Sequence, residues 1–275
     1  MTNCWKKIFN GRSLPAEIGA PGYSLPKISH LTAFSFNDLR DPDQSVAVIG
    51  SDQATGTVLA PRERRPDRKI RINVTPKTTD ALVILGSDLS LQGSITLAAA
   101  SQTVVFSGGA SETSHSGSLN ATLWGKENCL FIGTSVTMNG CQMVLGGDST
   151  SVILGNDCML SVGIYIATTD QHGVIDLREK AIVNHPASVH IEPHVWLGRL
   201  VSVNKGARIG RGSVIGANSF VSGRIPKTVV AGGVPAKVIR TEATWDRTMF
   251  VRQATLEFVA VFDSPEGKGD WGQDS

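Results

Sequence analysis

A short polar segment carries the side chains best suited to chemistry. The sequence T-T-D-Q-H-G-V-I-D places Asp170, His172 and Asp176 close together in the chain. A histidine accepts a proton from a substrate hydroxyl near neutral pH, and a neighbouring carboxylate fixes its tautomer. Spacing alone leaves open the alternative of a solvated loop histidine. The segment therefore nominates His172 as a general base, with Asp170 and Asp176 orienting it or binding substrate hydroxyls.

The sequence around this segment repeats every six residues. A period of six fits neither a helix nor a simple strand, and it predicts coils of three flat faces with 18 residues in each coil. The aliphatic positions are Ile191, Leu197, Val203, Ile209, Ile215 and Val221. A second inward position lies four residues after each aliphatic, at Val195, Val201, Ala207, Ser213, Ser219 and Ile225.

Corners are expected directly after each inward aliphatic. Three glycines and Asn204 stand there, and these residue types tolerate the positive φ of a tight turn. The glycines are Gly198, Gly210 and Gly216. Trp196 lies just before the first of these corners, in the sequence V-W-L-G.

The period extends towards the N-terminus and breaks once in an informative way. From Ile166 to Ile191 the step is 25 residues, which is not a multiple of six. Because surface insertions in solenoids sit at corners, residues 168–188 are predicted to form an excursion loop that carries His172. The earlier sets are Leu85, Leu91 and Leu97; Ile132, Met138 and Val144; and Leu154, Leu160 and Ile166.

Three regions follow from this register. Residues 1–80 show no period and many prolines, and are predicted to be an irregular cap over the first coil. Residues 81–240 form the solenoid. Residues 241–275 are predicted to hold one amphipathic helix, Thr241 to Phe262, and a disordered tail. The basic stretch from Arg62 to Arg71 is either a solvated loop or a contact for an anionic acceptor or a CoA phosphate.

Composition limits the classes of function. The net charge is +2, and 18% of the residues are charged, which favours neither nucleic acid nor a membrane surface as a partner. The first residues lack the apolar stretch of a signal peptide, and no 18-residue apolar run occurs, so we expect a cytoplasmic protein. The four cysteines lack metal-ligand spacing, which predicts buried thiols and no metal.

The sequence also resembles a known family. The segments V-W-L-G, V-N-K-G-A-R-I-G, S-V-I-G-A-N-S-F-V and A-G-G-V-P-A-K-V-I-R are similar to the left-handed β-helix (hexapeptide-repeat) acyltransferases. More narrowly, they resemble bacterial sugar and polysaccharide O-acetyltransferases. Thr169, Asp170, His172 and Asp176 match the S-D-x-H-x-x-x-D loop of those enzymes, with Thr in place of Ser. The resemblance implies an all-β fold, a left-handed parallel β-helix.

The resemblance further implies roles for single residues. His172 corresponds to the general base, and Trp196 to a tryptophan that lines the site in polysaccharide-modifying members. A homotrimer with active sites shared between subunits is implied, with acetyl-CoA in the crevice between two solenoids and no metal. The implied acetyl-CoA contacts are Gly198, Arg199, Ala217, Ser222, Gly223, Lys237 and Arg240.

This chain departs from the family pattern at two points. Ser222 and Gly223 replace the Thr-Lys of many members, which removes one basic contact unless Arg224 substitutes for it. Arg199 stands where galactoside-type members have a small residue, and either adds a charge contact or narrows the channel.

The predicted function is transfer of an acetyl group from acetyl-CoA to a sugar hydroxyl of a bacterial polysaccharide or glycan precursor. N-acetylation of an amino sugar and acetylation of a xenobiotic remain open alternatives on the same scaffold. A zinc site of the γ-carbonic-anhydrase kind is disfavoured. His185 and His190 have suitable spacing for it, but His30 and His115 lie outside any clear register. His194 is expected to be an exposed flank.

Overall fold

A stack of parallel strands forms most of the molecule, as the six-residue period predicts. The computed structural model describes residues 2–12, 14–62, 69–87, 91–108, 117–253 and 255–257. Within these ranges the strands form a nine-stranded sheet, a 13-stranded sheet and a two-stranded hairpin. Across the same ranges, no helix combines the length and hydrophobicity needed to cross a membrane.

Helices are few and short. One α-helix, α1 (Asn3–Ile8), and two 3-10 helices, Ile28–His30 and Phe36–Leu39, are present in the described part of the chain. The strands, in chain order, are β1 (Thr32–Ser35), β2 (Val46–Gly50), β3 (Gly56–Ala60), β4 (Ile70–Val74), β5 (Ala81–Leu85), β6 (Leu91–Leu97), β7 (Thr103–Phe106), β8 (Gly117–Leu123), β9 (Cys129–Ile132), β10 (Thr137–Leu145), β11 (Ser151–Leu154), β12 (Met159–Leu160), β13 (Ile164–Ala167), β14 (Ile175–Asp176), β15 (Ala181–Ile182), β16 (Val189–Ile191), β17 (Trp196–Leu197), β18 (Ser202–Val203), β19 (Arg208–Ile209), β20 (Val214–Ile215), β21 (Phe220–Val221), β22 (Arg224–Ile225), β23 (Val230–Gly233) and β24 (Ala236–Arg240).

The strands build three faces. The nine-stranded sheet, in the order β1-β3-β5-β7-β9-β11-β16-β19-β22, is the first face. The 13-stranded sheet bends within β10, which pairs with β13 on one side of the bend and with β12 on the other. The second face therefore contains β2, β4, β6, β8, β10, β13, β18 and β21, and the third contains β10, β12, β17, β20, β23 and β24.

The predicted inward positions form the core. Leu154 pairs with Ile191, Leu160 with Leu197, and Ile166 with Val203, so each aliphatic stacks on its equivalent in the next coil. The six aliphatics from Ile191 to Val221 are at most 1% exposed, and the six residues of the second inward set are also buried. Stacking keeps apolar surface from water along the whole axis, which is the main stabilising term.

One member of the predicted register is shifted. Met138 pairs with Leu160 and Met143 with Ile166, so five residues separate the two inward positions of β10 instead of six. Met143 therefore occupies the core position predicted for Val144. Val144 points outward and lines a cavity described below.

The residues that adopt a positive φ at the corners are not the ones predicted. Positive φ values occur two residues later than expected, at Leu200 and Gly212 for example, where φ is 59° and 70°. Gly198 and Gly210 are needed for another reason. A Cβ on Gly210 would lie 2.4 Å from the Lys227 backbone nitrogen, and one on Gly198 would lie 2.8 Å from that of Ala217. These glycines permit close stacking of successive coils.

The solenoid begins well before the predicted boundary at residue 81. Strands β2, β3 and β4 belong to the first and second faces and pair in parallel with later coils. The six-residue period missed them because coils are longer here. Ile72 and Ile95, which occupy equivalent positions, are 23 residues apart rather than 18.

Only a small part of residues 1–80 acts as a cap over the first coil. Strand β1 runs antiparallel to β3, and Phe36 is buried at that end of the stack. The preceding segment lies along the outer side of the first face instead. There Trp5, Phe9 and Tyr23 pack in one apolar cluster with outward residues such as Phe131. In the basic stretch, residues 63–68 lie outside the described residues.

The C-terminal segment is not the predicted helix. Residues 241–252 form turns and extended chain, and helical residues begin only at Gln253. Trp245 and Arg247 anchor the segment to the solenoid, and these contacts favour an extended path. Arg247 forms an ion pair with Asp157 at 2.8 Å, and the Trp245 ring is buried. Residues 258–275, which include the end of the predicted helix and the predicted tail, lie outside the described residues.

Candidate active site

The predicted excursion lies at the corner between the second and first faces. The chain leaves after β13, forms the antiparallel hairpin of β14 and β15, and returns at β16. Since β11 pairs directly with β16, the coil closes beneath the insertion without distortion. Residues 168–188 therefore extend from a rigid corner, as the sequence predicted.

A ladder of buried polar side chains supports this corner. Gln102 donates from Nε2 to the Gly125 carbonyl at 2.9 Å, and Asn128 in the next coil donates from Nδ2 to Thr150 Oγ1 at 3.0 Å. The Thr150 and Thr168 hydroxyls share a hydrogen bond of 3.1 Å. Buried polar groups with partners fix backbone positions, so the ladder holds the start of the loop.

A second set of contacts closes the loop on itself. Asn184 donates from Nδ2 to Asp170 Oδ2 at 2.7 Å and to the His172 carbonyl at 2.8 Å. Lys205, from the next coil, forms an ion pair with Asp170 and donates to the Asn184 carbonyl at 2.9 Å. The hydrogen bonds from Lys205 and then Asn184 lower the pKa of Asp170. Asp170 thus anchors the backbone that carries His172.

Neither Asn184 nor Lys205 was singled out from the sequence. Both lie in quoted segments, N-H-P at the end of the loop and V-N-K-G in the next coil. The register could have predicted the place of Lys205, because it puts this residue at the same corner as the loop, one coil further along the chain. Nothing in the sequence distinguishes Asn184 from other polar loop residues.

His172 lies at an open cavity of about 450 Å³. Gln171 beside it adopts a φ of 65°, and its backbone N–H donates to Thr169 Oγ1 at 3.0 Å. This turn places both Gln171 and His172 at the cavity wall. The remaining lining residues come from the second face and its corner: Thr122, Trp124 and Val144.

Trp124 is a site residue that the sequence reasoning missed. It follows β8 at the same corner as the loop, two coils earlier, and its side chain is 43% exposed. Gly146 in the next coil makes room for the ring, because a Cβ there would lie 2.4 Å from the Trp124 ring. The sequence L-W-G offered a signal, since it resembles the V-W-L-G of Trp196.

Asp176 has a different setting from Asp170. Its Oδ1 accepts the backbone N–H groups of Arg178 at 2.7 Å and Glu179 at 3.0 Å, within the hairpin turn. These two bonds lower the pKa of Asp176. The contacts give Asp176 a part in shaping the turn.

Trp196 does not join His172 within one chain. It begins the third face, and the first face, about 20 Å across for six extended residues, separates it from the loop corner. Its ring lies 6.1 Å from the Trp245 ring, and its side chain is 36% exposed. Folding of a single chain therefore does not place Trp196 beside the loop, although Trp196 follows the loop closely in the sequence.

His194 beside it is buried, not an exposed flank. Its Nδ1 lies 2.7 Å from Asp157 Oδ2, and its ring stacks on Trp245 at 4.5 Å. Burial raises the pKa of Asp157, but the hydrogen bond with His194 and the charge of Arg247 outweigh this and lower it. The six-residue period does not extend to the C-terminal segment, so the sequence did not predict that Trp245 would cover His194.

The predicted acetyl-CoA contacts fall in three places. Gly198, Arg199 and Ala217 lie at the corner between the third and second faces, where the Asn218 N–H donates to the Arg199 carbonyl at 2.8 Å. The other four lie elsewhere, with Ser222 and Gly223 at the loop corner and Lys237 and Arg240 exposed on β24.

The histidines considered for zinc have other environments. His190 is buried, with Nε2 2.6 Å from the Tyr23 hydroxyl and Nδ1 3.3 Å from Glu17. Burial lowers the pKa of His190, which Glu17 opposes. His185 is exposed, and His115 lies outside the described residues. In the ranges that the structure describes, no cluster of three or more His, Cys, Asp or Glu side chains is placed to hold a metal.

The cysteines in the coils are buried thiols, as predicted. Cys129, Cys141 and Cys158 are free and buried, whereas Cys4 is exposed. Burial raises the pKa of Cys129 and of Cys158 to about 12. Their thiols therefore stay protonated and pack as small apolar side chains.

The loop contacts make a first testable prediction. Replacing Asn184 with leucine (Asn184→Leu) removes the bonds to Asp170 and His172, so catalytic turnover should fall by about tenfold or more. The thermal midpoint should change little, because the residue lies outside the core. Turnover and thermal unfolding of Asn37→Leu, an exposed site far from the loop, provide the control. Unchanged turnover in Asn184→Leu would contradict a positioning role.

Comparison with known proteins gives the site a context. Residues 188–223 match the family described as bacterial transferase hexapeptide (six repeats). The chain is 33% identical over 123 residues to polysialic acid O-acetyltransferase of Escherichia coli O1:K1 / APEC, covering 45% of this chain and 40% of that protein. It is 42% identical over 93 residues to galactoside O-acetyltransferase of Lactococcus lactis, covering 34% of this chain and 44% of that protein. The chain thus spans less than half the length of these two relatives.

A solved structure shares the fold over a wider range. The crystal structure of the polySia-specific acetyltransferase NeuO superposes with a TM-score of 0.52 and 20% identity, covering 70% of this chain and 88% of that one. This likeness confirms the predicted left-handed parallel β-helix. Within the repeat region of this chain, residues 188–223 therefore resemble the bacterial transferase hexapeptide family.

Proposed function

We propose that this protein is an acetyl-CoA-dependent O-acetyltransferase that modifies a sugar hydroxyl of a bacterial polysaccharide or glycan precursor. The observation that carries the proposal is His172 on a fixed loop, facing an open cavity with an exposed tryptophan. The names of the similar proteins, polysialic acid and galactoside O-acetyltransferase, support it.

The chemistry requires one base and two substrates. A ring nitrogen of His172 accepts the proton of the acceptor hydroxyl as the oxygen attacks the thioester carbonyl. The tetrahedral intermediate expels the CoA thiolate, which takes a proton, and the acetyl ester of the sugar remains. His172 gains one proton and returns it to the thiolate, so the enzyme ends unchanged. Asp170 contributes by holding the loop backbone through Asn184.

Acetyl-CoA is proposed to bind along corners and at the closing hairpin. Gly198, Arg199 and Ala217 lie in successive coils of one corner, and Lys237 on β24 pairs opposite Gly232 in the same region. Backbone groups at the corner suit the pantetheine amides, and the cations of Lys237 and Arg240 suit phosphates. Ser222 and Gly223 lie on the loop corner, so in this arrangement they contact acetyl-CoA held by a neighbouring copy.

The placement of the two proposed site residues supports an assembly of several copies, which we propose to be the homotrimer that the family resemblance implies. Trp196 and His172 lie at different corners of one chain, so they share a site only where two copies meet. The loop hairpin also exposes apolar side chains, which a neighbouring copy would cover. These are Val174, Ile175, Leu177, Ile182 and Val183.

Acetyl transfer itself tests the function. Purified protein is incubated with radiolabelled acetyl-CoA and a panel of cell-envelope polysaccharides and sugar precursors, and the labelled product is treated with mild base. We expect base-labile label on a glycan, since acetyl esters hydrolyse under conditions that leave amides intact. Base-stable label on an amino sugar would instead establish N-acetylation, and no label on any acceptor would contradict the proposed function.

A further inference from the structure

The outer side of the second face is a flat polar surface that ends at the His172 cavity. Two rows of outward residues run across the parallel strands. Asn73, Thr96, Thr122 and Val144 pair in register in one row. Arg71, Ser94, Asn120, Gln142 and Tyr165 form the other row. We call these two rows the polar face.

The polar face carries groups that bind hydroxyls. Asn120, Thr122 and Gln142 are exposed, and amides and hydroxyls both donate and accept hydrogen bonds. Ser94 donates to Asn120 Oδ1 at 2.9 Å, and Asn73 donates to Thr96 Oγ1 at 3.4 Å, so neighbouring strands hold one another's side chains. A ligand meeting this surface would find donors and acceptors already oriented.

Trp124 stands where the polar face meets the cavity. Thr122 and Trp124 lie two residues apart at the end of β8, on either side of the buried Leu123, and both line the cavity with His172. The indole of Trp124 is 43% exposed and sits over Gly146. An exposed indole beside hydroxyl-binding groups suits the apolar C–H face of a sugar ring, whose hydroxyls point to the sides.

We propose that the polar face and Trp124 bind an extended glycan polymer, with Trp124 stacking the sugar unit whose hydroxyl reaches His172. The inference deepens the proposed function by choosing a polymer acceptor over a single-sugar precursor. Strands stack about 4.8 Å apart, which is close to the length of one sugar unit in an extended chain. The row from Asn73 to Val144 therefore spans about three sugar units.

Binding and transfer are measured separately to test this. Purified capsular polysaccharides and O-antigens are first assayed for binding without acetyl-CoA. Fragments of one, two, four and eight sugar units from the best binder are then used as acceptors. Wild-type protein should bind a polysaccharide, and its acceptor KM should fall by about tenfold from one unit to four units.

Variants localise the surface. Trp124→Ala should raise the KM for the polymer by about tenfold and weaken binding of the polymer by the same factor. The KM for acetyl-CoA should not change. Trp124→Phe keeps an aromatic face, so its KM for the polymer should lie between the values for wild type and Trp124→Ala. Asn120→Ala should raise the KM for eight-unit fragments but not for single sugars. Phe250→Ala, at an aromatic residue of the C-terminal segment that is more exposed than Trp124, is the control and should match wild type.

Two results would overturn the inference. The first is a Trp124→Ala variant whose polymer binding and KM match wild type, and the second is a single sugar that serves as well as an eight-unit chain. Wild-type protein that binds polymer through Trp124 without transferring acetyl would instead refute the proposed function and leave the polymer site standing. Wild-type protein that binds no polysaccharide refutes the polymer site.

Discussion

Replacing His172 with alanine should reduce acetyl transfer by about 10²–10⁴-fold, the usual contribution of a general base. The hydroxyl would then attack without a group to take its proton. Binding of CoA and the oligomeric state should not change, because His172 is not among the residues proposed to contact CoA or a neighbouring copy. Initial rates with labelled acetyl-CoA, calorimetric titration with CoA, and size-exclusion chromatography measure the three properties.

The loop offers a matched control in His185, a second exposed histidine of the same excursion. His185→Ala should keep wild-type rates, since the residue is not among those lining the cavity. A His172→Ala enzyme that works within a few-fold of wild type would remove His172 from the mechanism. Loss of activity in both variants would point to the loop fold rather than to the base.

Two inactive variants should restore activity when they are mixed. If each active site takes His172 from one copy and Trp196 from its neighbour, then His172→Ala and Trp196→Ala subunits complement each other. Random reassembly at equal amounts should regenerate roughly a quarter of the sites, because each of two subunits must supply its intact residue. The physical reason is the placement of the two residues at different corners of one chain.

The measurement is acetyl transfer after the two proteins are unfolded together and refolded. As a control, His172→Ala is mixed with the double variant His172→Ala/Trp196→Ala, in which no intact His172 exists, and this mixture should stay inactive. If the mixture of His172→Ala and Trp196→Ala is also inactive although mixed oligomers form, the proposal that two subunits share one active site is wrong. If Trp196→Ala alone is fully active, Trp196 has no part in the reaction.

The coil axis and the loop were predictable because their signals are local. A six-residue period repeats the same inward environment, so Leu154, Leu160 and Ile166 stack under Ile191, Leu197 and Val203 as counted. The break between Ile166 and Ile191 likewise marked the excursion. Longer coils hid the start of the solenoid, since Ile72 and Ile95 are 23 residues apart.

The site was only partly predictable, because its walls come from distant parts of the chain. Trp124 and His172 are 48 residues apart and meet because parallel stacking aligns one corner of successive coils. Likewise, the Trp245 ring stacks on His194, and Trp245 lies in a segment that has no six-residue period. The sequence by itself determined the repeating core, the loop and the residue types in it. Only the tertiary structure decided which side chains share a corner, because that depends on the length of every coil between them.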